Sequence, residues 1–187
     1  MMRGVSFLKC LAVLTLLSVV LAFAPTTDPE GPRFDEKDTA AIIKASYIYN
    51  FAKMIDWPDH LKKGNFIIGV MGSSSMYQQL VTKYNGKTIG SQPIEIRKIS
   101  NTQNFTTCHI LFVDNEFSSS LDDVISYVNG TSTLLISHHK GALTKGVAIN
   151  FIVVDDNLKF ELSVPNAERN NLFVGMSLKG LALHVEN

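Results

Sequence analysis

Apolar positions along the chain fall into segments of different period. From Ala41 the stripe continues through Ala45, Ile48, Ala52 and Ile55 at spacings of four and three, which predicts a helix capped by Asp38 or Thr39. Ile43, Tyr47, Phe51 and Met54 widen that face, and Trp57-Pro58 predicts its end, since a residue before proline avoids the helical region. Phe66–Met71 is an apolar run rich in branched side chains that enters Gly72-Ser73-Ser74-Ser75, so a strand, a small-residue turn and a helix through Met76, Leu80 and Tyr84 are expected. Pro93–Ile99 alternates apolar and polar residues as a half-exposed strand does, whereas Cys108–Val113 is a continuous apolar run suited to a sheet centre. A helix follows from about Ser119 to Val128, closed by Asn129-Gly130. Thr133–Ser137, Val147–Val154 and Lys159–Ser163 read as strands, the last two joined by a hairpin at Asp155-Asp156-Asn157. From Pro165, the spacing of Ala167, Val174, Leu178 and Leu181 predicts one closing helix. This alternation predicts a Rossmann-like α/β domain, a layered mixed sheet of about six strands with helices on both faces.

The first residues carry Arg3 and Lys9 and no acid, followed by an unbroken apolar stretch from Cys10 to Phe23. That stretch is too short for a hydrocarbon core about 30 Å thick and has the length of a secretory apolar region, with small residues at Ala22 and Ala24 for cleavage. Residues 1–24 are read as a signal peptide, with an uncleaved anchor as the alternative; 25–37, rich in Pro, Asp, Glu and Gly, as a flexible leader; and 38–187 as the domain. Phe7-Leu8-Lys9 lacks the small residues that would mark Cys10 for lipidation.

Composition narrows the function. The 187 residues suit one core, and 17 Lys and Arg balance 17 Asp and Glu with no basic cluster, which argues against a nucleic-acid partner. Loss of residues 1–24 leaves a slightly acidic chain whose single cysteine, Cys108, has no intramolecular disulfide partner and is expected as a buried thiol at a strand edge.

Candidate chemistry is sparse. Gly69-Val70-Met71-Gly72-Ser73 sits where a phosphate loop would, but is not GxGxxG and has no lysine at P-loop spacing. His138-His139 are adjacent, and adjacent residues of an extended chain face opposite ways, so they make poor joint metal ligands. Asp155-Asp156 lie in the expected hairpin turn, where carboxylates are solvated, and Ser73 to Ser75 have no identifiable base. Asn104-Phe105-Thr106 and Asn129-Gly130-Thr131 fit the glycan acceptor pattern. No cofactor and no metal is implied. The remaining candidate is a crevice at the strand carboxyl ends near Gly72, Ser73, Ser137 and His138, able to take a small molecule.

Several segments together resemble the YfiR-like family of small exported bacterial proteins. The helix Lys44-Ala45-Ser46-Tyr47-Ile48-Tyr49-Asn50-Phe51-Ala52-Lys53 with its Trp57-Pro58 is similar to the family's most specific motif. Phe66–Gly72, Gly86-Lys87, Cys108–Phe112, Val147–Phe151, Lys159–Leu162 and Gly175–Leu181 follow in the family's order. The resemblance implies a non-enzymatic periplasmic regulator that binds the periplasmic domain of an inner-membrane signalling protein, a diguanylate cyclase or a sensor kinase, and that forms a homodimer. Repressing a cyclase would lower cyclic di-GMP and with it biofilm. Tyr47, Tyr49, Phe51 and Trp57 are the candidate partner-binding residues. Three departures stand out: the extra cysteines of the founding type are missing, which removes its disulfide control; His138 replaces the usual acidic residue after the fourth strand; and a single Gly146 replaces paired glycines.

Overall fold

The computed structural model describes residues 36–101 and 107–187. The signal peptide, the leader as far as residue 35 and the Asn104 acceptor site lie outside the described residues.

In chain order the elements are α1 (Glu36–Met54), β1 (Ile55–Asp56), β2 (Phe66–Met71), α2 (Ser74–Tyr84), β3 (Thr88–Ile89), β4 (Gln92–Ile99), β5 (Ile110–Val113), α3 (Leu121–Val128) and β6 (Leu134–Ser137), then α4 (Ala142–Lys145), β7 (Ile149–Val154), β8 (Asn157–Ser163), α5 (Val164–Arg169), β9 (Phe173–Val174), α6 (Met176–Leu181) and β10 (His184–Glu186). Eight strands form one mixed sheet in the order β10-β8-β7-β6-β5-β2-β4-β3, and β1 pairs with β9 in a separate antiparallel ribbon. The five strands β4, β2, β5, β6 and β7 run parallel, while β8 and β3 pair antiparallel to their inner neighbours.

Alternation along β5 shows how the layers form. Ile110 and Phe112 join a core with Ala45, Ile48, Phe51 and Ala52 of α1 and Met76 and Leu80 of α2. Leu111 and Val113, facing the other way, join Leu121, Val124 and Val128 of α3. A strand whose successive side chains point to opposite faces is here apolar on both, so helices cover both faces. From β2 the chain crosses through α2 to β4, then returns to the other side of β2 and continues through α3 and α4 to β6 and β7. The direction of winding therefore reverses between β2 and β5, the topological switch point of a doubly wound sheet.

The α/β class expected from the sequence is the class observed, with local differences, one of them the unexpected short helix α4. The sheet has eight strands where about six were expected, because the short β3 and β10 have too few residues for a visible period. The first helix starts at Glu36 and ends at Met54, before Trp57-Pro58, because Ile55 and Asp56 pair with Val174 and Phe173. The single closing helix from Pro165 is instead α5, a turn with Asn171 at φ 55°, β9, α6 and β10. Ala167, Val174 and Leu178 are buried even so, whereas Leu181 is exposed. The hairpin forms as expected, with Asp155 and Asp156 both at positive φ and Val154 paired with Asn157, the backbone twist that suits a two-residue turn.

Candidate functional site

The carboxyl ends of β2, β5 and β6 and the N-terminal half of α1 border a cavity of about 220 Å³ lined by Ala40, Ala41, Lys44, Ser73, Met76, Phe112, Asp114 and His138. Each polar lining residue is placed by local chemistry. Gly72 breaks the strand at φ +96°, and a Cβ there would lie 3.0 Å from Asp114 Cβ, so only glycine lets β2 turn this close to the end of β5. Ser73 then caps α2, its Oγ accepting from Met76 N at 3.2 Å, which leaves its hydroxyl proton able to turn toward the cavity. Asp114 follows β5, accepts from Asn115 N at 2.8 Å and donates its own backbone N–H to Met71 O at 3.0 Å.

Lys44 reaches in from α1, and only 8% of it is exposed. Its Nζ lies 2.8 Å from His138 Nδ1 and 5.8 Å from the centre of the Phe112 ring. An ammonium can only donate, so His138 Nδ1 accepts and the ring proton sits on Nε2. Burial lowers the Lys44 pKa, opposed by the charge of Asp114; burial and then the nearby ammonium lower that of His138, with Asp114 again opposing. Both shifts favour the neutral form of their group, and a neutral imidazole is the form that accepts from Lys44 through Nδ1.

The turn that carries His138 is held by Asn150 of β7, which is buried. Its Oδ1 accepts from Ser137 Oγ at 2.9 Å and from His139 N at 3.0 Å, and its Nδ2 lies 3.4 Å from Glu161 Oε2. His138 also borders an outer groove of about 400 Å³ shared with His139, Lys140, Asn150 and Glu161.

Of the four crevice candidates, Ser73 and His138 line the cavity; Gly72 forms its floor turn through Asp114, and Ser137 is fully buried behind the wall, bonded to Asn150. Sequence reasoning missed Lys44, Asp114 and Asn150. Lys44 entered the sequence reading only as part of the family motif, although its place one turn after Ala41 and beside Ala45 of the buried stripe was the available signal.

The four partner candidates divide. Phe51 and Trp57 are buried, Phe51 against Phe160 at 4.8 Å and Trp57 edge-on to Phe66 at 5.0 Å between ring centres, so neither is presented to a partner. Tyr47 is half-buried over Phe51, Phe151 and Phe160. Tyr49, also half-buried, stacks on Tyr84 at 4.5 Å with Lys53 over its ring. Among the described residues the widest apolar exposure lies in the C-terminal stretch instead, where Phe173, Met176, Leu181 and Leu183 are all exposed, Met176 by 80%. Among the described residues no group of three His, Cys, Asp or Glu is placed to hold a metal ion, and no helix is long and apolar enough to cross a membrane.

No curated protein matches the chain. A family profile described as YfiR/HmsC-like matches residues 41–182, a span that starts on the buried stripe of α1 and ends just after α6. With that match over most of its length, the chain belongs to the YfiR/HmsC-like family.

Proposed function

We propose that this protein is a non-enzymatic regulator, exported to the periplasm, that binds the extracytoplasmic part of a membrane signalling protein and holds a diguanylate cyclase in its inactive state. Family membership supports the regulatory reading. The observation that carries the docking part is the C-terminal stretch, where four large apolar side chains stand exposed within eleven residues, Phe173 to Leu183. Such a surface costs solubility unless something covers it. To turn its target from mostly active to mostly inactive the regulator must favour the inactive form by about 5 kcal/mol. A homodimer through its helical surfaces belongs to the same reading and is checked by light scattering of the purified protein.

Deleting the gene in its host should raise cyclic di-GMP, and wild-type protein should restore it. Met176→Lys with Leu181→Lys should fold with unchanged melting temperature yet fail to restore it, and should lose a membrane partner captured by the wild type. Unchanged cyclic di-GMP on deletion, together with capture of no membrane signalling protein, would sink the proposal. Tyr49→Ala tests the α1 candidate: normal repression with a lowered melting temperature assigns Tyr49 to packing on Tyr84. The cavity at the switch point favours a second reading, compatible with the first, in which the domain is a small-metabolite-binding module that modulates a sensor kinase or other receptor.

A further inference from the structure

We infer that the switch-point cavity is a binding site for a short carboxylate that carries a hydrogen-bond donor on the carbon next to the carboxylate, a 2-hydroxy or 2-amino acid, held between Lys44 and Asp114. The inference rests on the reading of this crevice as a ligand site and adds the chemistry of its occupant.

Four observations lead there. First, Lys44 is nine-tenths buried beside a cavity, and one of its three ammonium protons goes to His138. A buried cation beside a cavity is expensive unless an acceptor meets its remaining donors. Second, Asp114 lines the same cavity, yet the ion pairs of the described residues lie elsewhere, so lysine and carboxylate border one cavity without pairing directly. The cavity calls for a molecule with an acceptor at one end and a donor close by. Third, further donors line it: besides Lys44, the Ser73 hydroxyl stands at the first turn of the eleven-residue α2, whose N-terminus favours negative charge, and His138 carries its one N–H on Nε2. Fourth, Ala40, Ala41, Met76 and Phe112 supply apolar walls for a short carbon chain. The volume of about 220 Å³ is below the roughly 300–1,000 Å³ that drug-sized ligands fill, which limits the occupant to a small acid.

The carboxylate accepts from Lys44 and from the Ser73 hydroxyl, and the hydroxyl or ammonium beside it donates to Asp114. A plain fatty acid satisfies the first contact and leaves Asp114 facing a methylene. Inorganic anions satisfy the donors and set like charge against Asp114.

Three probes of equal carbon skeleton, L-lactate, L-alanine and propionate, carry a hydroxyl, an ammonium and a hydrogen at the second carbon. Each is titrated into the purified, isotope-labelled protein while the amide and imidazole NMR signals are followed. The expected result is a saturating shift at Ser73, Asp114 and His138 with lactate or alanine, whichever donor Asp114 prefers, and a dissociation constant at least about tenfold weaker for propionate. Lys44→Met, which keeps the length of the stem and removes a buried charge, should abolish saturation without lowering the melting temperature by more than a few degrees. Asp114→Asn, which keeps the cap on Asn115, should erase the preference over propionate. Propionate binding as well as the other two would overturn the ligand chemistry and leave the crevice standing as a site. No saturating shift at these residues with any of the three, or equal binding by the Lys44→Met protein, would overturn both.

Discussion

Removing the His109 imidazole tests the packing logic at the amino end of the central strands more directly than any other single change. The ring is buried at the start of β5, flat against Phe66 at 4.4 Å between centres. Its Nδ1 accepts from Ile67 N at 3.0 Å and its Nε2 lies 2.9 Å from Leu61 O, so it is neutral with the proton on Nε2. His109→Ala leaves the Ile67 N–H orphaned inside the protein, which costs about 1–3 kcal/mol. Leu61 O keeps a second donor, Gln92 Nε2 at 2.8 Å, so its loss is only the net worth of one bond, about 1 kcal/mol. The lost ring stacking adds about 0.5–1.5 kcal/mol. The total of about 4 kcal/mol corresponds to a fall in melting temperature of roughly 8–16 °C for a domain of this size. His109→Asn should recover more of it than His109→Gln, because the Asn oxygen sits where Nδ1 accepts from Ile67, whereas Gln restores only the contact that Gln92 already duplicates. The measurement is calorimetry with urea titration, repeated across pH. Burial lowers the His109 pKa, the Leu61 carbonyl opposing, so the folded state favours the neutral ring. Its contribution is whole above the ordinary value of about 6.5 and is lost as pH falls from there toward the depressed folded value, at up to about 1.4 kcal/mol per pH unit for one proton. The alanine variant should show a shallower acid limb than the wild type. Equal stability of the Ala and Asn variants, or a loss under about 1 kcal/mol, would refute this account.

Three further outcomes follow from the same geometry. Gly72→Ala should cost about 1–3 kcal/mol in urea unfolding, since it combines a positive φ with a Cβ 3.0 Å from Asp114 Cβ, and should weaken whatever the crevice binds. Asn150→Ala should cost about 1–3 kcal/mol through the orphaned His139 N–H and Ser137 hydroxyl; an intact His138 signal and unchanged stability would show that the turn holds itself. The Cys108 thiol, pushed up to about 11 by burial with only partial opposition from Arg97, should react with a disulfide reagent at pH 8 far more slowly in the native protein than in denaturant; fast labelling would place it outside the core.

Legibility of the sequence followed the length of each element. α1, α2 and the central strands were readable because eight to nineteen residues of one period, or a run of branched residues flanked by turn signals, leave few alternatives. β1 and β9 were not, because two-residue strands have no period; only the pairing of Ile55 with Val174 defines them, and that contact spans more than a hundred residues. The C-terminal spacing of Ala167, Val174 and Leu178 matched a helix while describing three residues of three different elements that point into one core. The crevice was half legible for a related reason. Ser73 and His138 announce themselves at strand ends, whereas the lysine beside them arrives from a helix earlier in the chain, marked only by its place next to the buried stripe of α1.

The helix that supplies this lysine also touches the opposite feature of the molecule. Lys44 lines the cavity, and ten residues on, about 15 Å along the axis, Met54 O accepts from Gly175 N at 3.2 Å. A Cβ at position 175 would lie 3.0 Å from that oxygen, so the end of α1 and the start of α6 meet backbone to backbone. Between them the crevice and the exposed C-terminal stretch share one rigid element, with no loop to absorb a shift. Any free energy that a crevice ligand exerts on partner docking must be returned in full: if ligand weakens docking by a given factor, partner weakens ligand binding by the same factor, typically about 5- to 150-fold for coupled sites. A ligand that bound free and docked forms alike would leave docking untouched however tightly it bound. Titrating L-alanine or L-lactate with and without a captured partner therefore measures the coupling, and a dissociation constant that is the same in both cases would rule out a linkage through α1.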